Sequence, residues 1–211
     1  TLFRSQNGGL RIHGGGSRRD AQKAFRLYAR SEYDSENTFD YPFFPNKPIQ
    51  EYKRLLLRAQ NSSNDSYMTD EVVSNICRNV NIDRMATRPV VVFLNGEYWG
   101  LYNIRERIDK YYLENNYGVD EDDVTLLHRS PYNISCCEIG TADEYIELLT
   151  YLAENDINDP QVYNYVEQKI DLEQYANYLV TQFWAANRDW PSNNIRYWKA
   201  AGDNAKWRWI M

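Results

Sequence analysis

The chain has 211 residues, 43% of them hydrophobic and 26% charged, which suits one domain, or a single domain of two lobes. Its net charge of −6 argues against a general nucleic-acid binder, whose surface would be basic. It holds no apolar run of the ~18 residues that a membrane-spanning helix needs.

Three cysteines, Cys77 and the adjacent Cys136 and Cys137, cannot make an even disulfide framework. With two His and no C-x-x-C spacing, a zinc site is not expected. The aromatic load of 18 Tyr, 7 Phe and 6 Trp fits either carbohydrate contact or a large core and decides neither. Thr1-Leu2-Phe3-Arg4 shows neither a start Met nor an apolar leader, and Trp207 to Met211 reads as the middle of a strand. The expectation is a truncated fragment of a longer protein.

In chain order, Leu10-Arg11-Ile12 reads as a short strand, followed by the turn Gly14-Gly15-Gly16-Ser17-Arg18-Arg19. Ala24 to Tyr28 then alternates apolar and polar, a half-buried strand. A strand, a glycine-rich turn and a second strand let backbone N–H groups approach a phosphate, and Arg18, Arg19 and Lys23 place positive charge beside it. The competing reading is a loose hairpin with solvated charges, because the turn matches neither common glycine-rich phosphate motif. Residues 31–50 read as an irregular loop and Arg54 to Arg58 as a buried strand. Asn61 to Asp65 reads as a turn, and Thr69 as the cap of a helix reaching about Val80. Sequons stand at Asn61, Asn64 and Asn133.

Pro89 to Leu94, Asn95-Gly96 and Tyr98 to Ile104 form the clearest hairpin. Arg105 to Asp109 reads as the opening of a helix that stops at Gly118, with Glu106 free to pair with Lys23 or to reach a metal. From Asp120 the chain changes character and helices dominate, with Ile195-Arg196-Tyr197-Trp198 read as a strand. Thr141 to Glu144 reads as a capping box, Asp159-Pro160 as a second helix start and Asp171 as a third. Leu172, Tyr175, Leu179 and Phe183 form the expected core stripe of that last helix. The fold class is therefore α+β, with a strand-rich part over 1–105 and a helical part over 106–211.

Asn187-Arg188-Asp189-Trp190-Pro191-Ser192-Asn193-Asn194 closes the series. Kinase-type phosphotransferases use a short loop in which an Asp orients the acceptor hydroxyl and an Asn five positions on holds magnesium. The pattern H-R-D-x-x-x-x-N here reads N-R-D-W-P-S-N-N. The alternative is a helix end followed by a proline turn.

Together these segments resemble the CotH kinase family, the spore-coat relatives of protein kinases. The resemblance is carried by Arg11 to Arg18, Lys23 to Leu27, Leu56 to Arg58, Val92 to Tyr102, Glu106 to Asp109 and Asp189 to Asn194. It implies an atypical protein-kinase-like fold of two lobes that binds ATP with Mg2+ or Mn2+ and phosphorylates a protein substrate. It makes Asp189 the catalytic residue and Asn194 its metal-binding partner, with Asn193 a near alternative. Lys23 and Arg18 become phosphate contacts and Glu106 the carboxylate partner of Lys23. It also implies an exported protein of the cell envelope or spore coat. Two other readings stand beside this one: a non-catalytic surface or adhesion module on the same fold, and phosphate or nucleotide transfer to something other than a protein.

In the family a further metal-binding Asp follows the strand matching Lys206 to Ile210, and this chain stops at Met211. The expected outcome is that the 211-residue chain transfers little phosphate from labelled ATP to protein. Sustained turnover in that assay would overturn the expectation.

Overall fold

The computed structural model describes residues 5–59, 69–130 and 133–211. The expected turn at Asn61 to Asp65 and the sequons at Asn61 and Asn64 lie outside the described residues. Helices and antiparallel sheets are mixed, so the α+β class holds. The chain forms two compact units, one of residues 1–75 and 85–116, the other of residues 76–84 and 117–211.

The first unit is built on a five-stranded antiparallel sheet. Its strands are β1 (Gly9–His13), β2 (Ala24–Tyr28), β5 (Arg54–Ala59), β6 (Thr87–Leu94) and β7 (Glu97–Glu106). They lie in the order β1-β2-β5-β7-β6. Two short strands, β3 (Phe39–Asp40) and β4 (Glu51–Tyr52), pair within the loop region. Asn95 at φ 53° and Gly96 at φ 84° give the β6–β7 turn the left-handed pair that a two-residue hairpin needs.

Period-two alternation sends Phe25, Leu27, Leu55, Leu57, Tyr102 and Ile104 to one face, where Phe44, Tyr52 and partly buried Phe39, Phe43 and Ile49 cover them. The other face carries Arg11, Arg26, Arg54, Arg58 and Arg105 in register across four strands. Helix α1 (Thr69–Ile76) serves that face, since Arg105 is bonded to Asp70 at 3.3 Å and Glu71 at 2.9 Å.

Several local expectations change here. Thr69 is the first helical residue, and α1 ends at Ile76 before a 3-10 turn at Cys77–Asn79. The strand β7 runs through Glu106, and helix α2 (Lys110–Tyr117) starts four residues later. Asp109 ends the strand-to-helix step by accepting from the N–H groups of Tyr111 at 3.1 Å and Tyr112 at 3.3 Å.

The second unit is not only helical. It holds a sheet of β8 (Val124–Ser130), β9 (Asn133–Ile139), β10 (Ile195–Ala200) and β11 (Arg208–Ile210) in the order β11-β10-β8-β9. The pair β8 and β9 escaped the sequence reading because β8 is a central strand with Leu126 and Leu127 both fully buried, so no alternation marks it. Its helices are α3 (Asp143–Glu154), α4 (Pro160–Lys169) and α5 (Leu172–Trp184). Asp159 and Asp171 cap α4 and α5 as expected. Thr141 does not cap α3: Ala142 occupies that position without a side-chain bond, and Glu144 pairs with Lys199 instead.

The face that α5 buries is also turned from the expected stripe. Gln174, Tyr178, Thr181 and Gln182 are buried, whereas Phe183 is 69% exposed. Gln174 causes the turn. Its amide donates to the Trp209 carbonyl at 2.5 Å and accepts from the Trp209 N–H at 2.9 Å, which satisfies the outer edge of β11. Trp209 in turn packs on Tyr175 and Tyr197, at centroid distances of 4.3 and 5.9 Å. Asp83, buried, accepts from Trp198 Nε1 at 2.8 Å and from Arg208 at 2.6 and 2.9 Å.

Gln174→Leu keeps the volume but orphans one donor and one acceptor of Trp209. The expected loss is about 2–4 kcal/mol in denaturant unfolding of the chain. A loss below about 0.5 kcal/mol would show that the amide does not hold the β11 edge.

Candidate functional site

In the first unit the glycine-rich turn folds as a short 3-10 segment, Gly16–Arg19. Gly14 has φ +113°, and a Cβ there would sit 2.2 Å from Ser17 Oγ, so the turn requires glycine at that point. Lys23 closes the turn: its Nζ donates to the Arg18 carbonyl at 2.8 Å and to the Asp20 carbonyl at 2.5 Å. An ammonium has three donors, so one remains for an anion. Arg18 is exposed beside it. An open cleft of about 490 Å3 lies between the residues after the turn and the β6–β7 hairpin, lined by Ala21, Gln22, Tyr98, Trp99, Gly100 and Leu101. Gln22 spans its floor by donating to the Leu101 carbonyl at 2.8 Å.

Glu106 does not join Lys23. It is the last residue of β7, on the apolar face, and pairs with Lys47 at 2.5 Å. The same carboxylate accepts from the Ala86 N–H at 2.7 Å and from Asn116 Nδ2 at 2.9 Å, and Asn116 also accepts from Lys47. Four groups thus satisfy one another, so that a carboxylate 3% exposed has hydrogen-bond partners for both oxygens. Lys47 escaped the sequence reading. It stands in the irregular stretch 31–50 with no local pattern, and only the folded chain brings it to Glu106.

In the second unit the stretch Asn187 to Asn194 forms the loop between α5 and β10. Its bonds converge on Asp189. The Asp189 N–H donates to Asn187 Oδ1 at 3.1 Å, and the Asp189 carbonyl accepts from Asn193 N at 2.9 Å and from Ser192 Oγ at 3.3 Å. Asn194 Nδ2 donates to Asp189 Oδ2 at 2.8 Å. Asn194 sits at φ 56°, the left-handed region that Asn tolerates better than most side chains. Trp190 anchors the loop edge-on against Phe183 at 5.1 Å. Both Asp189 and Asn194 are exposed. Of the residues expected to act, the fold therefore joins Asp189 with Asn194, and Lys23 with Arg18, while Glu106 stands with Lys47.

Among the described residues no group of three or more His, Cys, Asp or Glu side chains could hold a metal. The Asp189 carboxylate and the Asn194 amide oxygen are nonetheless hard donors of the kind Mg2+ and Mn2+ take. Magnesium is commonly held by one or two protein oxygens with phosphate and water completing its shell. The donor chemistry therefore fits.

The α+β chain thus carries a glycine-rich turn closed by a lysine and an Asp–Asn loop. A family model described as CotH kinase protein matches residues 10–211, and the chain belongs to the CotH kinase family. No curated protein matches it.

Removing one partner of a half-buried ion pair strands the other. Lys47→Met is expected to cost about 3 kcal/mol in denaturant unfolding, whereas Lys23→Met, which removes bonds to carbonyls of its own turn and strands no charge, costs under about 1 kcal/mol. Equal costs would mean that Lys47 does not hold Glu106.

Proposed function

We propose that the chain serves ATP-dependent phosphoryl transfer to Ser or Thr hydroxyls of a protein, as an atypical kinase. The observation that carries this reading is the 2.8 Å bond between Asn194 and Asp189, which aims an exposed carboxylate from a loop built around it. Asp189 accepts a hydrogen bond from the acceptor hydroxyl and orients its oxygen toward the phosphoryl group. Asn194, with Asp189 beside it, holds Mg2+ or Mn2+, which supplies neutralisation of the charge that develops on that group. Lys23 gives its remaining donor to a nucleotide phosphate and Arg18 adds a second contact. The cleft beside the turn, with Tyr98 and Trp99, supports a bound nucleotide base. Glu106 acts at one remove, by orienting Lys47.

One observation favours the second reading, a non-catalytic surface or adhesion module. Val91, Phe93, Tyr98 and Leu101 of the β6–β7 hairpin are each more than half exposed. Such a patch is suited to contact with a partner.

Calorimetry of ADP binding with and without Mg2+ or Mn2+ separates the two readings. Wild type is expected to bind, with Lys23→Ala weaker by about tenfold, the cost of one charge-assisted bond. Asp189→Ala and Asn194→Ala are expected to bind ADP alone as wild type does but to lose the enhancement by metal. No ADP binding by wild type would overturn the kinase reading in favour of the adhesion module.

A further inference from the structure

The arginine face of the five-stranded sheet has a focus. Arg26 on β2, Arg54 on β5 and Arg107, just past β7, surround Tyr28 at the end of β2. The Arg54 and Arg107 guanidinium carbons lie 5.7 and 5.8 Å from the Tyr28 ring centroid, and Arg30 lies 5.3 Å from it. Arg26 stands two residues before Tyr28 on β2, on the same face of the sheet. One buried carboxylate, Asp109, serves both Arg54 at 3.1 Å and Arg107 at 3.5 Å through the same oxygen. Arg26 has no carboxylate partner among the described residues; its Nε donates to His13 Nδ1 at 2.7 Å. Arg30 pairs at 3.5 Å with Glu32, an exposed pair that screens little.

Two of these three guanidinium groups, Arg54 and Arg107, thus share one carboxylate in a partly buried setting, and the third has none among the described residues. The strain shows in the neighbours. Burial pushes the Arg107 guanidinium below its ordinary pKa, and the charges of Arg26 and Arg54 add to that against the pull of Asp109. Burial pushes the Tyr28 phenol up, but the neighbouring guanidinium groups of Arg26, Arg107 and Arg54 outweigh it and hold the phenol below its usual value. The Tyr28 effect reports a local excess of positive charge in a chain whose net charge is −6. Planar guanidinium forks beside a hydroxyl match the oxygens of a phosphate in number and direction.

We infer that Arg26, Arg54 and Arg107 around Tyr28 form a phosphate-binding site that takes a phosphate dianion, free or as the terminal group of a nucleotide. The site is separate from the glycine-rich turn. That turn joins the start of β2 at Ala24, and Tyr28 closes the strand about 13 Å further on, at ~3.3 Å per residue. None of its residues belongs to the Asp189 loop or to the Lys23 turn, so it stands whether or not the chain transfers phosphate.

Calorimetry of the 211-residue chain with inorganic phosphate, with ADP and with acetate at fixed low ionic strength tests it. Inorganic phosphate is expected to bind and acetate not. Arg26→Gln is expected to weaken phosphate binding at least tenfold, Arg26→Lys by less, and Arg78→Gln, at an exposed arginine outside this sheet, not at all. ADP weakened by Arg26→Gln would name the nucleotide as a source; ADP weakened by Arg18→Gln alone would leave free phosphate as the ligand of this site. Phosphate bound equally by wild type and Arg26→Gln, or not bound by wild type, overturns the proposal. A readout on wild type covers a variant that does not fold. In an NMR titration with inorganic phosphate the Nε–H resonances of Arg26, Arg54 and Arg107 are expected to shift saturably while that of exposed Arg78 stays still. Unmoved Arg26, Arg54 and Arg107 resonances overturn the proposal as well.

Discussion

The alternation of side chains across the five-stranded sheet sets the terms for the whole first unit. Because β2, β5 and β7 are in register, a residue's parity along its strand decides whether it meets Phe44 and Tyr52 or the row of arginines. Leu55 and Leu57 go one way, Arg54 and Arg58 the other. Glu106 and Arg105, adjacent in sequence, fall on opposite faces and into different networks: Glu106 with Lys47 and Asn116, Arg105 with Asp70 and Glu71. A one-residue slip of β7 would exchange these partners and bury unpaired charge on both sides. The register is thus held by electrostatics as well as by the core.

The second unit is organised differently, by buried polar side chains that bind backbone and aromatic edges. Gln174 completes the outer edge of β11, and Asp83 ties Trp198 on β10 to Arg208 on β11. These bonds fix the strand that follows the Asp189 loop, while α5 fixes the chain that precedes it. The loop is framed on both sides, and a loop is positioned only as well as its two ends are.

How much of this was legible follows from whether the deciding contact is local. Asn95-Gly96 named its hairpin and Asp159 and Asp171 named their helices, since turn and cap chemistry act within four residues. The spacing of Asp189 and Asn194 could be read directly for the same reason. The strand β8 could not, because it is covered on both faces and loses the alternation that marks a strand. The inward face of α5 was misread because a buried Gln outranked Leu179 and Phe183, and only the position of β11 explains why. Lys47 was invisible: its partner lies 59 residues away. Arg26, Arg54 and Arg107 were in plain view, but as scattered basic residues until strand register placed them round one ring.

The Asp189 loop tests the distinction between a turn and a site. A proline turn after a helix needs its backbone bonds, and here Asn193 N and Ser192 Oγ supply them to the Asp189 carbonyl. Those two bonds would serve the turn with many residues at position 189. The bond from Asn194 to the carboxylate is different: it adds no closure that the backbone bonds lack, and it depends on an acid at 189 and an amide at 194. An exposed bond of this kind contributes little to stability, on the order of 1 kcal/mol. What it does supply is direction, since it fixes one carboxylate oxygen and thereby aims the other. Asn194 meets both demands at once, adopting the left-handed conformation that the turn requires and carrying the amide that the carboxylate requires. Gly would satisfy the first demand alone, and the presence of Asn is therefore better explained by the carboxylate than by the turn.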